Sequence, residues 1–338
     1  MPGSITASMS GTTKIRGPDV TGAGENNSMA LEGGSDVDAA FEAHVGPVRD
    51  ALLRLLDASD ELQGTWGSMA AADSQAMAEL AAEDQFQGET PWGTDPVLQA
   101  HNFAQLLLFG ANDCARALAR LLSSETTPVY AHTVLARASL EHAGRAWWLL
   151  DTAIGVRLRI ARGVNERIFG LAQQDRLPIT KADKRRARER RTALYAEGER
   201  LGFRKVRPNR NVLATLEEPR PGQTAIIREL LRTGEDAELG VVLYGLFSAV
   251  AHGTTFGLTH SVTLDAPGMP TVPGVTWGAV YTGSWDVVSV LAAVILGIGK
   301  AYHARNKFFN WSSVAWNGVY VEAIRATKQA LPGDPGRG

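Results

Sequence analysis

Apolar residues recur at Val37, Phe41, Val45, Val48, Leu52 and Leu55, in steps of three and four that set one face of a helix against a core. The same period returns along the chain and predicts helices over residues 96–123, 127–151, 156–174, 181–201, 225–231, 236–252, 285–306 and 314–330. Start signals agree with the pattern. Ser35 with Asp38 and Thr180 with Asp183 are capping pairs, and Asp95-Pro96 and Thr127-Pro128 place a proline in a first turn. Pro47 falls inside the first helix, which it is expected to kink or restart. Residues 63–95 read as a weak Ala-rich helix followed by a loop that ends at the cap Asp95. Only residues 253–283, rich in Thr, Gly, Pro and Val, abandon the helical period. The expected fold is all-α, a multi-helix bundle with one short irregular or hairpin insertion near residues 254–283.

Residues 1–35 are too polar and glycine-rich to bury a core and are expected to be a disordered N-terminal tail, with 332–338 a second one. That leaves 36–331 as a single helical domain. The one cysteine, Cys114, offers neither a disulfide framework nor a thiolate metal site. The N-terminus has no apolar signal core, and the apolar run 287–299 falls short of the roughly 20 residues a bilayer requires. A buried core helix and a cytoplasmic protein without membrane contact are the expectation.

Charge is segregated although its sum is only -2: residues 30–100 hold 14 acidic and 2 basic side chains, while 153–232 hold 20 basic and 9 acidic. Such halves can face each other, face a second subunit, or mark a polyanion-binding surface. The densest run is Lys181 to Arg191, seven cations in eleven residues, of which Lys184, Arg185, Arg186, Arg190 and Arg191 are candidates for a nucleic-acid backbone. No aromatic interleaves them before Tyr195, so phosphate contact is indicated and base stacking is not. A solvated helix face explains the same run.

Two polar stripes interrupt apolar helices. Arg137, Glu141 and Arg145 follow one another at i, i+4, i+8, beside His142, on a helix that also carries Trp147 and Trp148. A carboxylate between two guanidiniums stays ionised and can aim them at an anion, with Trp148 as an apolar wall; a buried ladder that sets helix register is the structural alternative. Tyr244, Ser248 and His252 have the same spacing on the helix before Gly253. There His252 is a candidate acid or base with hydroxyl neighbours, or simply a helix-end histidine meeting the last carbonyls. His252, Glu141 and Tyr244 are the candidate catalytic residues; Arg137, Arg145, Ser248 and Trp148 are the candidate substrate contacts. No Glu-x-x-His pair, His-Glu-x-x-His, Gly-x-Gly-x-x-Gly, phosphate loop or Gly-x-Ser-x-Gly occurs, so no cofactor and no metal are expected.

Arg137-Ala-Ser-Leu-Glu141 on one helix and Tyr244-x-x-Phe247-Ser248-x-x-x-His252 on a later one resemble a group of bacterial helical proteins related to HEPN domains of abortive-infection and toxin systems. The resemblance spans residues 130–253. HEPN nucleases carry Arg, four to six residues, then His; Phe247, Leu246 and Gly245 hold those positions before His252, and in Arg305-Asn306-x-x-x-Asn310 an asparagine stands where the histidine would be. What the resemblance implies is a bundle, with a homodimer as candidate assembly, that binds RNA or a protein partner. The competing expectation is an enzyme for a small anionic molecule, and the third a structural or accessory protein.

Overall fold

The structure, a computed structural model, describes residues 5–9, 34–64, 70–123, 128–177, 180–233, 238–260, 262–264, 276–280 and 282–331. Among them are eleven α-helices: α1 (Gly34–Gly64), α2 (Gln75–Leu80), α3 (Pro96–Leu121), α4 (Ala131–Leu149), α5 (Val156–Arg176), α6 (Lys181–Arg200), α7 (Gln223–Leu231), α8 (Glu238–Ala251), α9 (Thr255–Thr259), α10 (Ser284–Phe309) and α11 (Val314–Ala330). The chain is an all-α multi-helix bundle. Its strands are short: β1 (Ile5–Met9), β2 (Lys205–Val206), β3 (Thr215–Leu216), β4 (Val262–Leu264) and β5 (Thr276–Val280). Strands β4 and β5 pair antiparallel within the expected insertion, and β1, from the segment read as a tail, adds in parallel to β5. The side chain of the expected cap Ser35, residues 265–275 and residues 332–338 lie outside the described residues.

α1 runs through Pro47 without a break. α3 begins at Pro96 as expected, but Asp95 does not cap it. Glu83, on a 3-10 turn just upstream, accepts instead from the N–H groups of Val97 and Leu98, at 2.7 and 3.0 Å. A carboxylate against two free first-turn donors is a stronger cap than one oxygen, and it also meets the positive end of the helix dipole.

Two cores result. The larger is built by α1, α3, α4, α7, α8, α10 and α11 around Leu52, Leu108, Leu140, Phe247 and Leu291. The smaller, around Trp92, Ile160, Ile168, Leu194, Phe203 and Leu216, holds α5, α6 and the β2–β3 hairpin. By length and composition α10 could cross a membrane, yet 67% of its most apolar window is buried inside the fold. Its neighbours come very close at Gly299, where a Cβ would sit 2.0 Å from the Tyr320 ring, so glycine is what lets α11 lie against α10.

The acidic and basic stretches of the sequence meet at the seam of the two cores. Arg159 of α5 is 1% exposed. Its Nε donates to Glu79 Oε2 at 2.8 Å, while its other nitrogens donate to the carbonyls of Leu149 and Asp151. His101 Nε2 donates to the same Glu79 oxygen at 3.2 Å. Burial alone would push the Glu79 carboxyl up; the hydrogen bonds from His101 and Arg159 and the Arg159 charge outweigh it and hold the carboxyl below its ordinary range.

Candidate functional site

An α-helix turns 100° per residue, so positions four apart drift by about 40° and positions eight apart by about 80°. That drift decides which members of the two stripes meet. Arg137 and Glu141 face α8, whereas Arg145 has rotated far enough to face α7 and α5. Tyr244 of α8 lies beside Glu141, and His252, just past the end of α8, lies beside Arg137, because the two helices run antiparallel and the long guanidinium spans the difference in rise.

The contacts form a chain. Glu141 Oε1 accepts from Tyr244 Oη and from Arg137 Nε, each at 2.8 Å. Arg137 Nη1 then donates to His252 Nε2 at 3.3 Å. Arginine is only a donor, so this contact requires neutral His252 with its proton on Nδ1. The Arg137 guanidinium also stands 5.7 Å from the Tyr244 ring centre. Tyr244 is buried, Arg137 and Glu141 are partly covered, and His252 is exposed, so the chain leads from the interior to the surface.

Burial first, and then the hydrogen bond and charge of Glu141, push the Tyr244 phenol up to about 12, against the opposing pull of Arg137. Glu141→Gln is therefore expected to bring the Tyr244 titration down from that value without restoring the ordinary one, since burial remains. Ultraviolet titration of the variant checks this, and an unchanged titration would show that burial alone sets the phenol.

The remaining candidates are placed elsewhere. Arg145 Nε donates to Gln223 Oε1 at 3.0 Å, and its Nη1 lies 3.9 Å from Glu166, which is itself bound by Arg220 at 2.6 and 3.2 Å. The two-arginine clamp drawn from the spacing is thus not formed. Trp148 packs under the Arg162 guanidinium, 4.5 Å away, and forms no wall beside His252. Ser248 lies half-buried between Tyr244 and His252. Arg305 is fully buried between Tyr302 and Trp311, and Asn310 caps the end of α10, so that pair presents no accessible Arg and acid–base group. Sequence reasoning missed Gln223, whose Nε2 also donates to the Glu141 carbonyl and so ties α7 to α4. It missed the Glu166–Arg220 pair as well. Of these only Glu166 carries a sequence signal, a charged residue on the buried side of a helix; Arg220 and Gln223 lie in or beside a proline-broken stretch that marks neither.

The basic run lies on α6, which packs on α5. Arg185, Arg186 and Arg190 are exposed, and Lys184 and Arg191 half-exposed. Arg188 is held by Asp175 at 2.7 Å, while Arg185–Glu189 and Arg186–Asp183 are loose exposed pairs at 3.5 and 3.9 Å. Such pairs are worth little and release their cations easily. Arg204, Lys205, Arg207 and Arg210 extend the exposed basic surface onto the β2–β3 hairpin. Lys205 Nζ stands 4.5 Å over the Tyr195 ring, which binds the hairpin through the Ala214 carbonyl. Among the described residues, no group of three or more His, Cys, Asp or Glu is placed to hold a metal. Comparisons with protein-family models, with curated proteins and with solved structures found no match for this chain.

Proposed function

We propose that this protein is an HEPN-like bundle that binds RNA through phosphate contacts, with the exposed basic face of α6 and its hairpin holding the strand and the Arg137–His252 pair meeting the backbone as a second point of contact. The observation that carries this reading is the convergence of the two stripes on an accessible pair: Arg137 Nη1 reaches an exposed imidazole 115 residues further along the chain. An open surface pair suits a polymer, which needs access from both sides, better than it suits an enclosed small molecule. The exposed cations of α6 and the hairpin supply the sequence-independent attraction that phosphates require.

Binding of a labelled single-stranded RNA, followed by anisotropy over a range of salt, tests the proposal. Replacing Arg185, Arg186, Arg190 and Arg191 together by glutamine is expected to weaken binding and to lower the slope of log K against log salt by about 0.7 for each phosphate no longer neutralised. Arg137→Ala and His252→Ala are expected to weaken binding by a smaller factor. Affinity and salt slope unchanged in the fourfold variant would overturn the reading.

A further inference from the structure

α3 is buried on every side but one. Its exposed positions fall on a single line, which begins at the exposed cap Asp95 and continues through Leu98, Asn102, Leu106, Phe109, Asp113, Ala117 and Arg120. Leu106 and Phe109, at the middle of that line, are 66% and 61% exposed and, three residues apart, form one contiguous apolar patch rather than two scattered residues. The steps between successive members are 3, 4, 4, 3, 4, 4 and 3, a series that reads the same from either end. A stripe with that symmetry matches its own copy when the two helices run antiparallel.

The chemistry follows the same symmetry. About the midpoint between Leu106 and Phe109, an antiparallel copy sets Leu106 against Phe109 and Leu98 against Ala117, all apolar. It sets Asn102 against Asp113, where an amide can donate to a carboxylate, and Asp95 against Arg120, opposite charges at both ends. Among the described residues, the Asp95 side chain caps no helix N–H and accepts from the neighbouring Thr94 hydroxyl. We infer that α3 is the two-fold interface of a homodimer in which the exposed stripes of two copies pack antiparallel in this register. The occupant is a second copy because one partner satisfies every position of the line at once, two salt bridges included.

This inference stands apart from RNA binding and is tested without RNA. Sedimentation velocity of the full chain is expected to show a dimer that Leu106→Asp converts to monomer, while circular dichroism shows the helices retained. Asp95→Arg and Arg120→Asp, each of which places like charges opposite one another, are expected to weaken association at least tenfold. The double variant Asp95→Arg with Arg120→Asp recreates both bridges in reverse and is expected to restore it. A wild-type chain that stays monomeric would overturn the inference, as would a dimer indifferent to Leu106→Asp. Failure of the double swap to rescue either single change would overturn the antiparallel register.

Discussion

Glu79→Ala is expected to destabilise the fold by about 3–5 kcal/mol, because it strips the carboxylate from a guanidinium that has no access to water. Arg159 would keep its carbonyl acceptors from Leu149 and Asp151 but lose the only carboxylate bonded to its Nε, and His101 would lose its partner as well. For a domain of this size the loss corresponds to a fall in melting temperature of about 5–8 °C. Glu79→Gln, which keeps the shape and an acceptor oxygen, is expected to cost less. The pH dependence follows from the depressed carboxyl. A carboxyl held below its ordinary range contributes stability above that range and loses it as the pH falls through the folded value. The gap between wild type and Glu79→Gln is therefore expected to narrow in acid. Urea unfolding at neutral and acid pH measures both effects; a loss under about 1 kcal/mol for Glu79→Ala would show that the carbonyls alone solvate Arg159.

The second buried cation is expected to respond in the opposite sense. Arg305 is 0% exposed, as deeply buried as Arg159, but among the described residues no carboxylate pairs with it. Its Nε donates to the Gln105 amide oxygen at 3.1 Å, its Nη2 reaches the Leu62 carbonyl at 3.5 Å, and its Nη1 is buried without a partner. Burial pushes the guanidinium down to about 10, so it is still charged at neutral pH. The rings of Tyr302 and Trp311 offset part of the desolvation, by about 1–2 kcal/mol each. An unpaired ion loses several kcal/mol on burial, which exceeds that gain. Arg305→Met fills nearly the same space without charge and is expected to raise stability by about 2 kcal/mol, read as a higher urea midpoint. A lower midpoint would show that the ring contacts and the Gln105 bond outweigh the desolvation.

These two arginines show where sequence reading stops. Both sit in helices whose period marks them as core, and nothing local distinguishes them. Arg159 is satisfied by Glu79, 80 residues away, and the Arg305 Nε by an amide from α3, 200 residues away. The polar stripes were legible in part for the same reason. Helical spacing alone put Arg137 with Glu141 and Tyr244 with His252 on common faces. It could not say that α4 and α8 run antiparallel side by side, which is what brings Arg137 to His252. Nor could it say that Arg145, about 80° further round, meets α7 and α5. The exposed line on α3 lay in the sequence as well, but a stripe becomes visible only when α1 and α4 have covered the other faces of that helix.

By itself, the sequence determined the long helices, their order and their apolar faces, because a 3.6-residue period and its capping residues act over a few neighbours at a time; the one-turn α9, inside the stretch read as irregular, is too short to show a period. It also determined the basic run on α6, whose exposure follows from too many like charges to bury. The tertiary structure alone decided which polar residues meet, which carboxylate neutralises which buried cation, and which face of α3 stays open. Those outcomes depend on helix packing between segments tens to hundreds of residues apart, and no local pattern carries that information.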